Sequence, residues 1–187
     1  MIGAIVLAAG ASSRLGRPKA SLPVPHTGRT FAETVLATLR AAEVGVVRVV
    51  VAPGAAGPNP EEVVNPDPGR GMLSSVQTGL RALPPEVEAV LVWPVDHPFV
   101  TVGTVRSLVD RFRSGAPPVV VPSYRGRRGH PALFAARVIP ELMTADPAEG
   151  ARSVVLAHAD RVELPVEDPG VIGDIDTPDD YRRWTSP

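Results

Sequence analysis

The sequence predicts an α/β protein of three layers, in which helices cover both faces of a mostly parallel sheet. Short apolar runs alternate along the chain with segments of helical periodicity, and this alternation is typical of parallel α/β sheets. The apolar runs are continuous, which indicates strands that are covered on both faces. The length of 187 residues suits one compact unit, so we expect a single domain over residues 1–187.

Four segments are predicted to be strands, at residues 2–8, 46–52, 89–95 and 119–122. Each consists mainly of β-branched or small apolar residues, which pack well in a buried sheet. The first run is short and has no basic segment before it, so we interpret it as a strand rather than a signal peptide. Residues 52–67 are rich in Pro, Gly and Ala, and we expect a long surface loop there.

Three helices have recognisable start signals. Thr30 and Glu33 have the spacing of a capping box, in which the hydroxyl and the carboxylate satisfy free N–H groups. Apolar residues then recur at helical spacing, and Gly45 is expected to end this helix. Thr101 is expected to cap a second helix. Near the C-terminus, Thr177 precedes a proline and two acids, which is typical of a helical first turn.

The composition excludes several classes of protein. The formal net charge is −1, which lacks the electrostatic footprint of a nucleic-acid-binding or membrane-surface protein. No apolar stretch approaches the length that crosses a bilayer. The chain has no cysteine, which excludes disulfides, thiolate metal sites and cysteine nucleophiles. Absence of cysteine also fits a reducing compartment, and we expect a cytoplasmic protein.

The stretch LAAGASSRLGRPK, residues 7–19, directly follows the first predicted strand. Small residues let backbone N–H groups approach an anion, and Arg14 and Lys19 add positive charge. Lys19 is the sole lysine among 19 basic residues, and a compact ammonium can follow a phosphoryl group that changes shape. The spacing of Gly10, Gly16 and Lys19 matches neither the Walker loop nor the dinucleotide fingerprint. The stretch therefore indicates another type of phosphate-binding loop; the alternative is an ordinary surface loop.

The pattern L-A-A-G-x-S-x-R-x-G-x-x-K in this stretch resembles the signature of the MobA-like NTP transferases, especially the molybdenum cofactor cytidylyltransferases. Further resemblances extend it over residues 5–181. The resemblance implies a Rossmann-like nucleotidyltransferase fold and transfer of a nucleoside monophosphate to a phosphorylated acceptor, with release of pyrophosphate. It further implies that Arg14 binds the outgoing phosphates and that Lys19 stabilises charge at the α-phosphate.

A second motif lies in NPDPGRGMLSSVQTGL, residues 65–80, which is expected to become a helix near Met72. Gly71, Ser75 and Gly79 resemble the family's G-x-x-x-S-x-x-x-G element, whose serine lies against the nucleotide. The alternative is that Ser74 and Ser75 merely cap the helix. The nucleotide-binding residues that the resemblance implies are Leu7, Ala8, Ala9, Gly10, Ser12, Gly71 and Ser75.

Two acidic motifs are candidates for a magnesium site. Asp96 ends an apolar strand, where a charge has little reason to lie unless it binds something, and it resembles the family's D-x-P motif. Mg²⁺ is usually held by one or two carboxylates together with substrate phosphates; the alternative is that Asp96 caps a turn. The stretch GDIDTPDDY resembles the family's D-x-D-T-P element. Alternation places Asp174 and Asp176 on the same side of an extended segment, so either is a candidate second ligand.

The stretch YRGRRGHPALF, residues 124–134, resembles the G-x-x-G-H-P element of the cytidylyltransferases. This resemblance implies that Arg128, Gly129 and His130 contact the acceptor. Arg125 and Arg127, with Arg128, would suit an anionic acceptor such as a pterin phosphate. The alternatives are a basic, solvated hairpin turn and a histidine that only holds this turn.

The predicted reaction is CMP transfer from CTP to an acceptor such as molybdopterin, with Mg²⁺ as cofactor. CTP is favoured because Ala8 and Ala9 stand where the guanylyl-transferring branch tends to have two glycines. A molybdoenzyme or cofactor-maturation protein is a candidate partner. The alternatives are GTP as donor, a sugar phosphate or methylerythritol phosphate as acceptor, and a nucleotide-binding chaperone or sensor without turnover. The missing dinucleotide fingerprint argues against a Rossmann oxidoreductase.

Overall fold

The computed structural model describes residues 1–10, 15–55, 57 and 59–185. Strands are present in ten places within this part of the chain. They are β1 (Ile2–Leu7), β2 (Pro23–Val24), β3 (Arg29–Thr30), β4 (Val46–Val51), β5 (Glu62–Val64), β6 (Ala89–Pro94), β7 (Val119–Tyr124), β8 (Arg127–Arg128), β9 (Ala132–Ala135) and β10 (Val162–Pro165).

The main sheet has the strand order β10-β7-β9-β6-β1-β4-β5, with β8 paired to β7. Strands β6, β1, β4 and β5 pair in parallel, and β10 pairs in parallel with β7. Strand β9 is antiparallel to both of its neighbours, β6 and β7. The short strands β2 and β3 form a separate antiparallel pair. The prediction of a mostly parallel sheet is therefore confirmed.

Helices cover both faces of this sheet. They are α1 (Phe31–Ala41), α2 (Met72–Arg81), α3 (Val102–Gly115), α4 (Ile139–Thr144), α5 (Ala151–Ala157) and α6 (Pro178–Thr185). Helices α1 and α3 pack against each other on one face, whereas α2 and α4 pack together on the other, with α5 against α4. The largest fully buried side chains come from the sheet and from the helices; they include Trp93 and Phe134 of the sheet and Phe31 of α1.

The predicted helix starts are confirmed, but one predicted end is wrong. Thr30 accepts from Glu33 N–H and Glu33 reaches back to the Thr30 backbone, so the capping box is present. Helix α1 ends at Ala41, and the left-handed residue after it is Glu43, with φ 60°. The Gly45 N–H instead donates to Ile2 O at 3.0 Å. Gly45 therefore leads into the sheet rather than ending the helix.

The expected loop at residues 52–67 is also only partly correct. It contains β5, whose residues Glu62–Val64 pair in parallel with the end of β4. A segment of three residues with little apolar periodicity is too short to predict as a strand. It becomes a strand because β4 supplies its hydrogen-bonding partners. Among the described residues, no helix combines the length and apolarity that crossing a membrane requires.

Candidate functional site: two adjoining cavities at the strand ends

The carboxyl ends of β1 and β6 place two of the predicted motifs side by side. Leu7 pairs with Pro94 at the end of the two strands. The Val95 N–H then donates to Leu7 O at 3.1 Å. Ligands of open α/β sheets bind beyond the carboxyl ends of the strands. The segments after Leu7 and after Pro94 therefore enter one site from neighbouring strands.

A cavity of about 420 Å³ lies at this point; we call it the loop cavity. Its lining residues are Leu7, Ala8, Ala9, Gly10, Lys19, Pro68, Gly71, Met72, Ser75, Pro94, Val95, Asp96 and Asp176. All predicted nucleotide-binding residues that the structure describes are among them. Ser12 and Arg14, which the sequence analysis also assigned to this site, lie outside the described residues.

Lys19 lies between two carboxylates in the loop cavity. Its Nζ is 2.7 Å from Asp96 Oδ2 and 2.5 Å from Asp176 Oδ1. Burial alone would lower the pKa of Lys19, but its hydrogen bonds to Asp176 and Asp96 outweigh burial and hold the pKa above its ordinary value. Lys19 is therefore a charged ammonium at neutral pH, and it partly neutralises the two acids.

The donor set around Asp96 fits a divalent cation. Asp96 Oδ1 is buried and has no hydrogen-bond partner within the described residues, while Oδ2 accepts from Lys19. Asp176 supplies a second carboxylate, and the Ile175 N–H donates to Asp96 O at 3.0 Å, which joins the two segments. The described part of the chain contains no group of three or more His, Cys, Asp or Glu side chains that could hold a metal. Two carboxylates are enough for Mg²⁺ when phosphates and water complete its shell.

The structure separates the two acids that the sequence left equivalent. Asp176 lines the loop cavity, whereas Asp174 is exposed and is not part of its wall. Ile175 between them is fully buried. The Asp176 N–H donates to the Asp180 carboxylate at 3.3 Å, so the start of α6 fixes the backbone at Asp176. Proximity to Lys19 and Asp96 therefore favours Asp176 as the second ligand.

The serines of α2 do not act as its cap. Gly71 is the N-cap residue and makes no side-chain capping bond. Ser75 lines the loop cavity. Behind it lies Asn65, a residue that the sequence analysis missed, which is 2% exposed and donates to the hydroxyls of Ser74 and Ser75. Its position just after β5 could have identified it only if that short strand had been predicted.

A second cavity of about 530 Å³ adjoins the first; we call it the sheet cavity. It is lined by Met72, Leu73, Val76, Val92, Pro94, Val121, Arg128, Gly129, His130, Ala132, Phe134, Glu149, Gly150, Ala151, Arg152 and Val155. Met72 and Pro94 line both cavities. The walls are mainly apolar, and the two arginines are the cationic groups on its rim.

The predicted acceptor residues Arg128, Gly129 and His130 all line the sheet cavity. Arg125 and Arg127 do not; the Arg125 guanidinium lies over the Tyr124 ring, 5.2 Å from its centroid. A Cβ at position 129 would lie 2.1 Å from Val171 O, so only glycine permits this close approach. Arg152 and Glu149 were missed, because a short helix and its preceding turn show no motif in the sequence.

His130 on the wall of the sheet cavity packs against a second histidine, His97. The rings of His97 and His130 have centroids 4.9 Å apart. Burial, together with the neighbouring His97, lowers the pKa of His130 to about 4. Burial also lowers the pKa of His97, against the attraction of Asp96. Both rings are therefore neutral at neutral pH. Their Nδ1 atoms are buried without a hydrogen-bond partner in the described part of the chain.

The small residues after β1 and Asp96 after β6, with Lys19 and Asp176 beside them, form the arrangement expected of an α/β protein that binds a phosphorylated ligand. The MobA-like NTP transferase domain family matches residues 4–162. The chain belongs to this family and is an NTP transferase with a nucleotidyltransferase fold. The resemblance stated from the sequence is thus confirmed.

Two curated relatives carry molybdenum cofactor activities. The molybdenum cofactor cytidylyltransferase of Escherichia coli K12 is 28% identical over 191 residues, which is 96% of this chain and 93% of the relative. A probable molybdenum cofactor guanylyltransferase of Mycobacterium tuberculosis H37Rv is 36% identical over 124 residues, covering 65% of this chain and 61% of the relative.

A solved structure has the same fold over the whole chain. The crystal structure of Rv0371c from Mycobacterium tuberculosis H37Rv has a TM-score of 0.85 and 30% identity, covering 100% of this chain and 97% of that one. A complex of Rv0371c with manganese gives a TM-score of 0.78 and 27% identity, covering 98% and 97%.

Proposed function

We propose that this enzyme transfers CMP from CTP to a phosphorylated acceptor of the molybdenum cofactor type and releases pyrophosphate. One observation carries the proposal: the loop cavity and the sheet cavity adjoin at Met72 and Pro94. A nucleotide in the first and an acceptor in the second would meet at this shared wall. Positioning two reactants in this way removes much of the entropic barrier to their reaction.

The loop cavity supplies the groups that a nucleoside triphosphate needs. The backbone of Leu7–Gly10 and the Ser75 hydroxyl would hold the base and ribose. Lys19 would stabilise negative charge at the α-phosphate, as a compact ammonium that the surrounding acids keep protonated. Arg14, outside the described residues, would bind the outgoing phosphates.

Asp96 and Asp176 would hold the divalent cation, for which we propose Mg²⁺. Asp174 remains a weaker candidate for the same role, because it lies outside the cavity wall. When bound, the cation neutralises charge on the triphosphate. The Oδ1 of Asp96 is buried and has no hydrogen-bond partner among the described residues, so it is free to coordinate the cation.

The reaction is an in-line displacement. An oxygen of the acceptor phosphate attacks the α-phosphorus, the bond from the α-phosphorus to the bridging oxygen breaks, and pyrophosphate leaves with that oxygen. A phosphate monoester is already a nucleophile near neutral pH, so no strong general base is required. Catalysis then depends on positioning and on charge neutralisation by Lys19 and its surroundings.

The sheet cavity suits an acceptor with an anionic group and a flat or apolar body. Its walls include Val92, Val121 and Phe134, while Arg128 and Arg152 stand at its rim. The neutral His130 can donate or accept one hydrogen bond from the cavity wall without adding charge. This combination supports a pterin phosphate over a small sugar phosphate, which offers little apolar surface.

Pyrophosphate release across a substrate panel tests the proposal. We expect the fastest release with CTP, Mg²⁺ and a molybdopterin-type acceptor, and slower release with GTP or with methylerythritol phosphate. Faster turnover with GTP would reassign the donor, and preference for methylerythritol phosphate or a sugar phosphate would reassign the acceptor. Binding of CTP with Mg²⁺ but no turnover on any acceptor would favour the chaperone or sensor instead.

A further inference from the structure

Asn65 is a buried polar residue with no contact of its own to the loop cavity. It follows β5 and is 2% exposed. Its backbone N–H donates to Val51 O at 2.9 Å, which fixes it to the end of β4. A buried amide must satisfy its hydrogen bonds within the protein, so the groups that it contacts are held in one arrangement.

The orientation of the Asn65 amide follows from its partners. Its Oδ1 accepts from the Asp67 N–H at 3.1 Å, and a backbone N–H can only donate. The two hydrogens of Nδ2 therefore point to the hydroxyls of Ser74 and Ser75, at 2.8 and 3.0 Å. Both serine oxygens act as acceptors towards Asn65.

The two serines differ in whether the hydroxyl proton has an acceptor within the protein. A hydroxyl has one proton to donate. Ser74 directs its proton to backbone oxygens, to Gly71 O at 2.8 Å and to Asp67 O at 3.2 Å. The Ser75 hydroxyl has no acceptor among the described residues, and Ser75 lines the loop cavity. Its proton is thus left to point at whatever occupies the cavity.

We propose that Asn65 is a positioning residue for nucleotide binding, which commits the Ser75 hydroxyl to donate a hydrogen bond to an acceptor atom of the bound nucleotide. The proposal rests on the proposed function, since it takes the occupant of the loop cavity to be a nucleoside triphosphate. It goes beyond that function by naming a residue that never touches the substrate and by giving the direction of the hydrogen bond at Ser75.

Asn65→Asp tests the direction of this hydrogen bond. The shape is kept and Oδ1 can still accept from Asp67, but the second oxygen now accepts a proton from Ser75. The Ser75 lone pairs then face the nucleotide. We expect the Kd for CTP with Mg²⁺, measured by titration calorimetry, to rise about tenfold, with kcat at saturating CTP unchanged.

Ser75→Ala supplies the background that separates this effect from the added negative charge. If Asn65 acts through Ser75, Asn65→Asp should raise the Kd by less than about twofold in the Ser75→Ala background, because the two changes remove the same interaction. A tenfold rise that persists in that background would overturn the proposal. A kcat loss with unchanged Kd would overturn it as well.

Substitutions of the two serines provide a second test, which does not depend on whether the Asn65→Asp variant folds. Ser75→Ala should weaken CTP binding by about tenfold, whereas Ser74→Ala should lower the melting temperature and leave the Kd within about twofold. Equal effects of the two changes on the Kd would overturn the proposal. Wild-type protein that binds neither CTP nor GTP would instead overturn the proposed function, and this inference with it.

Discussion

At the scale of single residues, the central feature is Lys19 between Asp96 and Asp176. The ammonium contacts both carboxylates, at 2.7 and 2.5 Å. Because the acids hold its pKa above the ordinary value, it carries its charge throughout the neutral range. Under the proposed function, a nucleotide in the loop cavity would meet this ammonium beside two acids that suit a metal ion, and both would neutralise charge on its phosphates.

Lys19→Ala should keep the fold and lower the rate of pyrophosphate release by about 10²- to 10³-fold, since one preorganised charge is lost. Single-turnover release measures this, and circular dichroism checks the fold. Lys19→Arg is the matched variant: it retains the charge, but its planar fork should leave the rate well below wild type. Near-wild-type release by Lys19→Ala would contradict the assignment.

The three acids should separate in a metal-binding experiment. Asp96→Asn and Asp176→Asn are each expected to weaken Mn²⁺ binding to the nucleotide complex, because each removes one carboxylate ligand. Asp174→Asn should bind Mn²⁺ like wild type, because Asp174 lies outside the loop cavity. Electron paramagnetic resonance of free Mn²⁺ gives the affinities. A larger effect at Asp174 than at Asp176 would reverse the assignment.

At the scale of elements, the close approach of α2 to β1 sets the position of Ser75. A Cβ at Gly79 would lie 2.5 Å from Ile5 Cγ2, so the helix can only rest this close to the strand with glycine there. Ser75 lies one turn earlier on the same helix. The last glycine of the G-x-x-x-S-x-x-x-G pattern therefore has a steric role, because it lets α2 pack closely against β1.

Gly79→Ala should therefore destabilise the protein by about 1–3 kcal/mol through overpacking, despite the better helix propensity of alanine. Gly103→Ala in α3 is the matched control, since a Cβ at position 103 would have its nearest neighbouring atom 3.9 Å away. Urea unfolding measures both. The expectation fails if the two substitutions change the free energy of unfolding alike.

At the scale of the whole molecule, two cavities adjoin at Pro94 of β6, and the pair of His97 and His130 lies beside them, with His130 on the wall of the sheet cavity. His97 follows β6, and His130 precedes β9. Strand β9 is antiparallel to β6, so its first residues lie beside the end of β6. This reversal brings the G-x-x-G-H-P stretch to the same end of the sheet as the small residues that follow β1.

The buried His130 should make the stability depend on pH. Its pKa is about 4 in the folded protein against an ordinary value of 6.5. Between these values the unfolded chain binds a proton that the folded chain does not, so the free energy of unfolding falls as the pH drops from about 6.5 towards about 4. His130→Gln should reduce this loss, as urea unfolding near neutral pH and near pH 5 would show. An identical pH dependence in the variant would contradict it.

The sequence alone was sufficient for the fold class, the family and most of the residues around the loop cavity. Local signals explain this success, because strand hydrophobicity, the capping box of α1 and the glycine spacing after β1 are all contained in short stretches. It did not predict β5 or the reversed β9, and it missed Asn65 and Arg152. The conformation of these strands and the positions of these residues depend on partners that are distant along the chain.

Only the tertiary structure decided which acid faces Lys19, and that the two sites share a wall. Alternation along an extended segment makes Asp174 and Asp176 equivalent, whereas in the structure Asp176 contacts Lys19 and lines the loop cavity and Asp174 does not line it. Likewise, Gly71 and Arg128 line two adjoining cavities because of the strand order, and not because of their spacing in the sequence. The sequence of each motif determines which chemical groups it presents, whereas the distances between motifs are set only when the strands assemble into the sheet.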